Sequence, residues 1–309
     1  MLRQLPLALA FGLSSALLYA AALSGGFLGI FLAYVAMVPL FAVGLMFGPT
    51  ALLAAAASAA VGIIAFGGLF PGLLYSVSHA LPTVLLVGLA LRNRTGSDGQ
   101  VYWYPPGYML QGLALWSGGG IALIALSLEL FAGGFQASIV AFLQAMVEAF
   151  QGEGPAMMDA ESVSSIAILL PGIVAWSWMI MTTLNGLLAQ MIVRRTGRNL
   201  RPNPRLADVA VGQRWAAAFA AFALAGMLLP GDLGLSAINI AIVLAYPLFF
   251  QGLSVIHALV AHWGLGPLGI GLFYGLLILL SWIALAVIAV GLAEPLVRLR
   301  ARLAGPQNT

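Results

Sequence analysis

The sequence predicts an all-α protein: a polytopic transmembrane helix bundle with eight or nine apolar spans, plus one external amphipathic helix. Three observations predict it. Hydrophobic residues make up 62% of the 309 positions and charged residues 7%, where soluble domains carry about a quarter charged. Apolar runs near the ~20 residues that cross a hydrocarbon core recur along the chain. Arginines gather at the ends of those runs, and 194–214 holds six of the twelve basic residues. Arginine near a span end stays on the cytoplasmic side, because the bias in short loops sets orientation.

The first run, Leu5 to Leu23, follows Arg3 and contains the small residues Ala20 to Ala22. A cleaved signal peptide is the alternative; a retained helix fits better, since the run is long for a signal segment and another apolar run follows directly. Ala8, Gly12, Ala16 and Ala20 put small side chains on one face, which lets a neighbouring helix approach closely. Runs at Phe27–Phe47, Thr50–Gly67 and Leu69–Leu91 are separated by glycine and proline turns at Gly25-Gly26, Gly48-Pro49 and Gly67-Gly68. The Ala-rich Thr50–Gly67 run lacks the bulk to face lipid, so it belongs inside the bundle. Pro39, Pro71 and Pro82 each delete a backbone donor inside an apolar run and favour a kink. Arg92 and Arg94 assign loop 92–106 to the cytoplasm, and its Tyr102, Trp103 and Tyr104 read as an interfacial anchor.

A fifth span, Gly107 to Phe131, leads to a segment, Ala132 to Ser162, whose charges are all acidic: Glu148, Glu153, Asp159 and Glu161. That pattern is external. Within it Phe135, Ile139, Phe142, Met146 and Phe150 share a helical face, opposite Gln144, Glu148 and Gln151. Residues 135–151 form the external helix, lying on the membrane surface, capping the bundle, or serving as a lid; Gly152, Gly154 and Pro155 end it. The sixth span, about Val163 to Val193, completes a six-helix bundle over residues 1–193. An Arg-rich cytoplasmic loop over 194–214 follows, then the C-terminal membrane segments and basic tail of 215–309. There the parity conflicts. Runs at Trp215–Leu229, Leu233–Trp263 and Pro267–Glu294 would leave Arg298, Arg300 and Arg302 outside. Either 215–229 is re-entrant, giving eight spans, or there are nine spans and an external tail; the re-entrant arrangement keeps the arginines inside.

No Asp, Glu or Arg lies near the middle of a span, and zero cysteines remove thiolate chemistry. No HExxH, GxSxG, Walker or GxGxxG pattern occurs in a fitting context. The expectation is therefore a non-enzymatic protein with no cofactor, no metal and no nucleic-acid partner. The polar candidates for a ligand site are Tyr75, Ser76, His79 and Thr83, which share a face beside Pro82, where the Ser78 carbonyl loses its helical donor. Asn239 or His257 would complete such a site; they lie on one stripe with Tyr246 and Phe250 but about 27 Å apart, too far for one small ligand. Asn185 and Gln190 diverge on the sixth span and read as interhelical glue, and Gln251 falls on another line.

Two stretches, LNGLLAQMIVRRTGRNLRPNP (Leu184–Pro204) and YPLFFQGLSVIHALVAHWGLG (Tyr246–Gly266), resemble the YybS-like family of predicted bacterial membrane proteins, a family of unknown function. Glu294 before Arg298 and Arg300 fills the place of that family's acidic residue ahead of a basic tail. The resemblance extends distantly to the substrate-binding subunits of energy-coupling-factor vitamin transporters. It implies that Ala51, Ala55 and Ala59 match a helix that docks on a transporter coupling module. The expected protein is thus a multi-pass component of the bacterial inner membrane. It is either a small-solute-binding transporter component or a scaffold for envelope proteins, with the lipid bilayer as its constant partner and its oligomeric state open.

Overall fold

The structure is a computed structural model, and it describes residues 4–24, 26–151 and 160–303. Arg3, Gly25, Gly152, Glu153, Gly154, Pro155 and Asp159 lie outside the described residues, as do the side chains of Phe150 and Glu161. The fold is all-α apart from one small hairpin. In chain order the helices are α1 (Leu5–Ala20), α2 (Phe27–Tyr34), α3 (Met37–Phe47), α4 (Pro49–Gly67), α5 (Leu69–Tyr75) and α6 (Leu81–Ala90). They continue with α7 (Pro106–Phe131), α8 (Phe135–Gln151), α9 (Ala160–Arg195), α10 (Gln213–Leu228), α11 (Gly231–His262), α12 (Gly266–Leu279), α13 (Ile283–Val297) and α14 (Leu299–Leu303). Among the described residues six helices are long and apolar enough to cross a membrane, with α2 and α3 taken together and α5 joined to α6. A seventh is added if α12 and α13, bent by 119° at their junction, count as one span.

The chain forms two compact units, Met1–Leu113 with Trp178–Pro204, and Ala114–Ser177 with Arg205–Thr309. The division falls inside α7 and α9, and hydrogen bonds explain why. The last turns of α9 are bonded to the N-terminal helices through Asn185, whereas Trp176 and Gly172, earlier on α9, bond to α11.

In the first unit, the small-residue faces of α1 and α4 pack together. Ala8, Gly12 and Ala16 are buried, as are Ala51, Ala55 and Ala59. A Cβ at Gly12 would lie 2.1 Å from the Ala55 carbonyl oxygen, so only glycine permits this approach. The alanine stripe expected to dock on a coupling module is therefore covered by α1. The 27–47 run is broken. Pro39 has no N–H for the Val35 carbonyl and its ring crowds that oxygen, so the chain takes tighter turns, with Ala36 N–H bonding Ala33 O and Val38 N–H bonding Val35 O. Loop 92–106 holds an antiparallel hairpin, β1 (Asn93–Thr95) on β2 (Val101–Trp103). Its Thr-Gly-Ser-Asp-Gly turn is closed by Gly99 at φ +74° and by the Asp98 carboxylate, which accepts from Gln100 N–H and Tyr102 O–H.

In the second unit α10 lies along α11, Gly226 against Ile238 and the Trp215 indole on the Leu244 carbonyl. Residues 213–228 thus form one helix packed on a partner, shorter than the candidate spans, and a bend of 119° separates α12 from α13. The 16 residues of α10 find their covering surface on α11, which the polarity of the run does not announce. α8 turns Ile139, Val140 and Leu143 onto Val163, Ala167 and Leu170 of α9. Phe142 and Met146 are exposed, so the buried stripe is rotated from the one that periodicity suggests. Two apolar faces exist on this helix, and α9 takes the one centred on Leu143.

Candidate functional site

Several of the polar side chains inside the apolar helices serve backbone groups at helix irregularities. A buried carbonyl without a donor costs about as much as a lost hydrogen bond, and more where no water is at hand. Several irregularities accordingly draw a polar side chain from a neighbour. The Ser78 carbonyl, released by Pro82, accepts from the Trp178 indole at 3.0 Å, and the chain there winds into a π turn, Ser76–Ala80. The Gly291 carbonyl, four residues before Pro295, accepts from Gln251 Nε2 at 2.7 Å. Near Pro247, the carbonyls of Ile242 and Leu244 accept the indoles of Trp176 and Trp215.

Asn239 is the most fully used of these groups. It is entirely buried. Its Oδ1 accepts from Gly172 N–H at 2.7 Å, and its Nδ2 donates to the Ile168 and Leu235 carbonyls at 2.8 Å each. Gly172 and Ile168 are the donor and acceptor of one ordinary helical bond next to Pro171, so the amide is inserted into the ladder of α9 at its proline. His257 is half-buried between α11 and α12 and pairs with the Tyr274 hydroxyl at 3.1 Å. Both residues belong to the second unit.

In the first unit the expected wall around His79 is a dense cluster. Tyr75 and His79 stack at 5.4 Å, and Tyr19, from α1, meets them edge-on at 5.1 and 4.9 Å. Ser15 donates to the Ala36 carbonyl at 2.5 Å, so the Tyr75 hydroxyl donates to Ser15 at 2.6 Å. His79 Nδ1 faces the Ser78 hydroxyl at 2.8 Å, and the ring is also hydrogen-bonded to the backbone of Ala33. Ser76 and Thr83 bond back to their own helix, at the Gly72 and His79 carbonyls.

Asn185, from α9, donates to the Tyr34 carbonyl at 2.7 Å and to that of Met181 at 2.8 Å. Ser15, His79 and Asn185 thus come from three elements to the carbonyls of the α2–α3 break. Asn185 Oδ1 is buried without a hydrogen-bond partner, in a residue 4% exposed. Periodicity brings out Tyr75 and His79 but not Ser15, Tyr19 or Asn185. The signal available for those was Pro39, which marks where carbonyls are released without marking what will meet them.

Two further polar centres sit at chain turns. Arg201 is buried and donates to the Ala90 and Tyr104 carbonyls, while Gln190 Nε2 holds the Arg201 carbonyl and Asn203. This seats a cation at the C-terminus of α6, where the helix dipole favours it. In the second unit Glu294 pairs with Arg300 at 3.0 Å and accepts from the Leu299 and Arg300 amides. Arg300 also donates to the Ala207 and Val209 carbonyls and to Ser254. Gln251 accepts from Val211 N–H, and Gly252 and Gly291 let α11 and α13 touch at backbone distance. The Gln-Gly-Leu-Ser core of the second familiar stretch is therefore a fastening point for loop 205–211, α13 and the tail.

At the other end of α11, Asp232 caps α8 by accepting from the Phe135 and Gln136 amides at 2.7 and 3.1 Å. Asp232 and Gln251 are about 28 Å apart along the helix, close to a hydrocarbon thickness. Among the described residues no group of three or more His, Asp and Glu is arranged to hold a metal ion.

A family model described as "Predicted membrane protein (DUF2232)" matches residues 13–294. No curated protein matches the chain, and neither does any solved structure.

Proposed function

Because the chain belongs to that family of predicted membrane proteins, we propose that it is a multi-pass protein of the bacterial inner membrane that binds a small neutral or weakly charged solute as a component of a transporter. The YybS-like resemblance, and its distant extension to energy-coupling-factor subunits, point the same way. The carrying observation is the polar centre of the first unit. Side chains from α1, the π turn and α9 meet at the α2–α3 break, and discontinuous helices are where transporters hold solutes at membrane depth. Tyr19, Tyr75 and His79 supply aromatic faces there. The only acid in this unit's sequence is Asp98, out in the exposed hairpin, which disfavours strongly cationic solutes. The reaction chemistry of an enzyme is not called for.

In this reading the spans number eight. Loop 205–211 and the Arg300 tail share one end of α11, and Asp232 with α8 occupies the other. The chain crosses on α10 and returns on α11, and the bent α12–α13 pair enters and leaves on the arginine side. Residues 194–214 and Arg298, Arg300 and Arg302 are then cytoplasmic, and 132–162 periplasmic.

Native mass spectrometry of the intact protein extracted in mild detergent tests the solute. A retained small molecule, lost in both Tyr19→Leu and His79→Leu while the proteins still elute as folded species, is the expected result. Absence of any small molecule from the wild type defeats the proposal. A scaffold for envelope proteins is the second reading. The exposed Phe142 and Met146 on the docked α8 favour it, and stable capture of envelope proteins, abolished by Phe142→Ser with Met146→Ser, would support it.

A further inference from the structure

The α2–α3 break has an oxygen left over. Asn185 Nδ2 is held by two carbonyls, those of Tyr34 and Met181. Exchanging the amide's ends would set an oxygen against both, so the orientation is fixed and Oδ1 is the unpartnered atom. An acceptor this deeply buried is costly to leave bare. Other oxygens stand on the same elements with capacity to spare. Thr182 lies one turn before Asn185 on α9, is fully buried, and spends its hydrogen on the Trp178 carbonyl, which leaves its lone pairs free. The Tyr34 carbonyl belongs to the broken turn, where Val38 N–H bonds Val35 instead, and a carbonyl has two lone pairs.

We infer that Asn185 Oδ1, Thr182 Oγ1 and the Tyr34 carbonyl form a site for a monovalent metal cation, coordinated by neutral oxygens. Neutral amide, hydroxyl and carbonyl oxygens suit hard cations. No carboxylate lies in the apolar helices of this unit to balance a second charge. Carbonyls of unwound membrane helices are the groups that hold coupling ions in many transporters. The site does not depend on solute binding, and its test uses the ion alone.

The experiment measures thermal unfolding of the full chain in detergent, by tryptophan fluorescence, in choline chloride and in titrations of sodium or potassium at constant ionic strength. The expected result is a saturable rise in midpoint with sodium or potassium, roughly 5 °C at one hundred times the dissociation constant, and no rise in choline. Thr182→Val keeps the volume and removes only the hydroxyl; it should raise the half-saturating cation concentration about tenfold and leave the midpoint in choline nearly unchanged. Asn185→Ser should abolish the dependence. Equal midpoints in all three salts, or a cation dependence that neither variant alters, would overturn the inference and leave Oδ1 bound to an ordered water only.

Discussion

Asn239→Leu is the sharpest test of the principle that intramembrane polar side chains here replace missing backbone partners. The substitution keeps the branching and heavy-atom count of the side chain and removes three hydrogen bonds, to Gly172 N–H, Ile168 O and Leu235 O. Leu235 lies within the regular ladder of α11 and loses little. Gly172 N–H and the Ile168 carbonyl are left buried, and a stranded group costs about 1–3 kcal/mol. Partial recovery of the bond between them lowers the total, so the expected loss is about 2–3 kcal/mol. That exceeds the ~0.6 kcal/mol average of an interhelical bond in a membrane.

The assay is reversible unfolding in mixed micelles, run as a double-mutant cycle with Pro171→Ala. Without the proline ring, Gly172 N–H can close on Ile168 by itself, so Asn239→Leu should cost at least 1 kcal/mol less in that background. Additive effects, or a loss under 0.5 kcal/mol for the single substitution, would refute the argument.

Further outcomes follow from the same geometry. Gly252→Ala or Gly291→Ala places a Cβ 1.9 Å from a backbone carbonyl across the α11–α13 contact; each should cost at least about 2 kcal/mol by overpacking, read as a lower unfolding midpoint. Glu294→Gln removes the buried partner of Arg300 and should loosen the tail, so trypsin should cleave after Arg298 or Arg302 at least several-fold faster in the intact protein. Single cysteines after Arg302 and at position 200 should resist an impermeant thiol reagent in spheroplasts, and one at position 136 should label; labelling after Arg302 would favour nine spans. Tyr102 O–H and Gln100 N–H, in that order, hold the Asp98 carboxyl below the usual carboxylate range. Its contribution to the hairpin is therefore present above the unfolded value near pH 4 and fades as pH falls through the folded one. Trp103 fluorescence in a variant retaining that tryptophan alone should show hairpin loosening in that acid window, and Asp98→Asn should flatten the change.

Proline positions made the site partly legible in advance. Pro82 identifies the Ser78 carbonyl as unbonded, and the structure supplies its donor, Trp178. Tyr75 and His79 do stand together, while Ser76 and Thr83 turn back to their own helix. Asn239 and Gln251 look like isolated amides in the sequence because their partners lie 67 and 40 residues away. Nothing in a run of apolar letters records which carbonyl a distant amide will meet.

The sequence by itself determined the medium and the helical class, because each depends on local sums: hydropathy over ~20 residues and a proline's missing donor. Only the tertiary structure decided that 213–228 packs as one helix along α11, that a 119° bend separates α12 from α13, and that Arg300 closes on Glu294 and loop 205–211. Parity counting cannot separate these, since a short apolar helix becomes stable or unstable according to the surface that covers it. The 16 residues of α10 are ambiguous alone; against α11 they have a partner at backbone distance, Gly226 on Ile238 and Gly234 on Leu229, and that close packing decides their place in the fold.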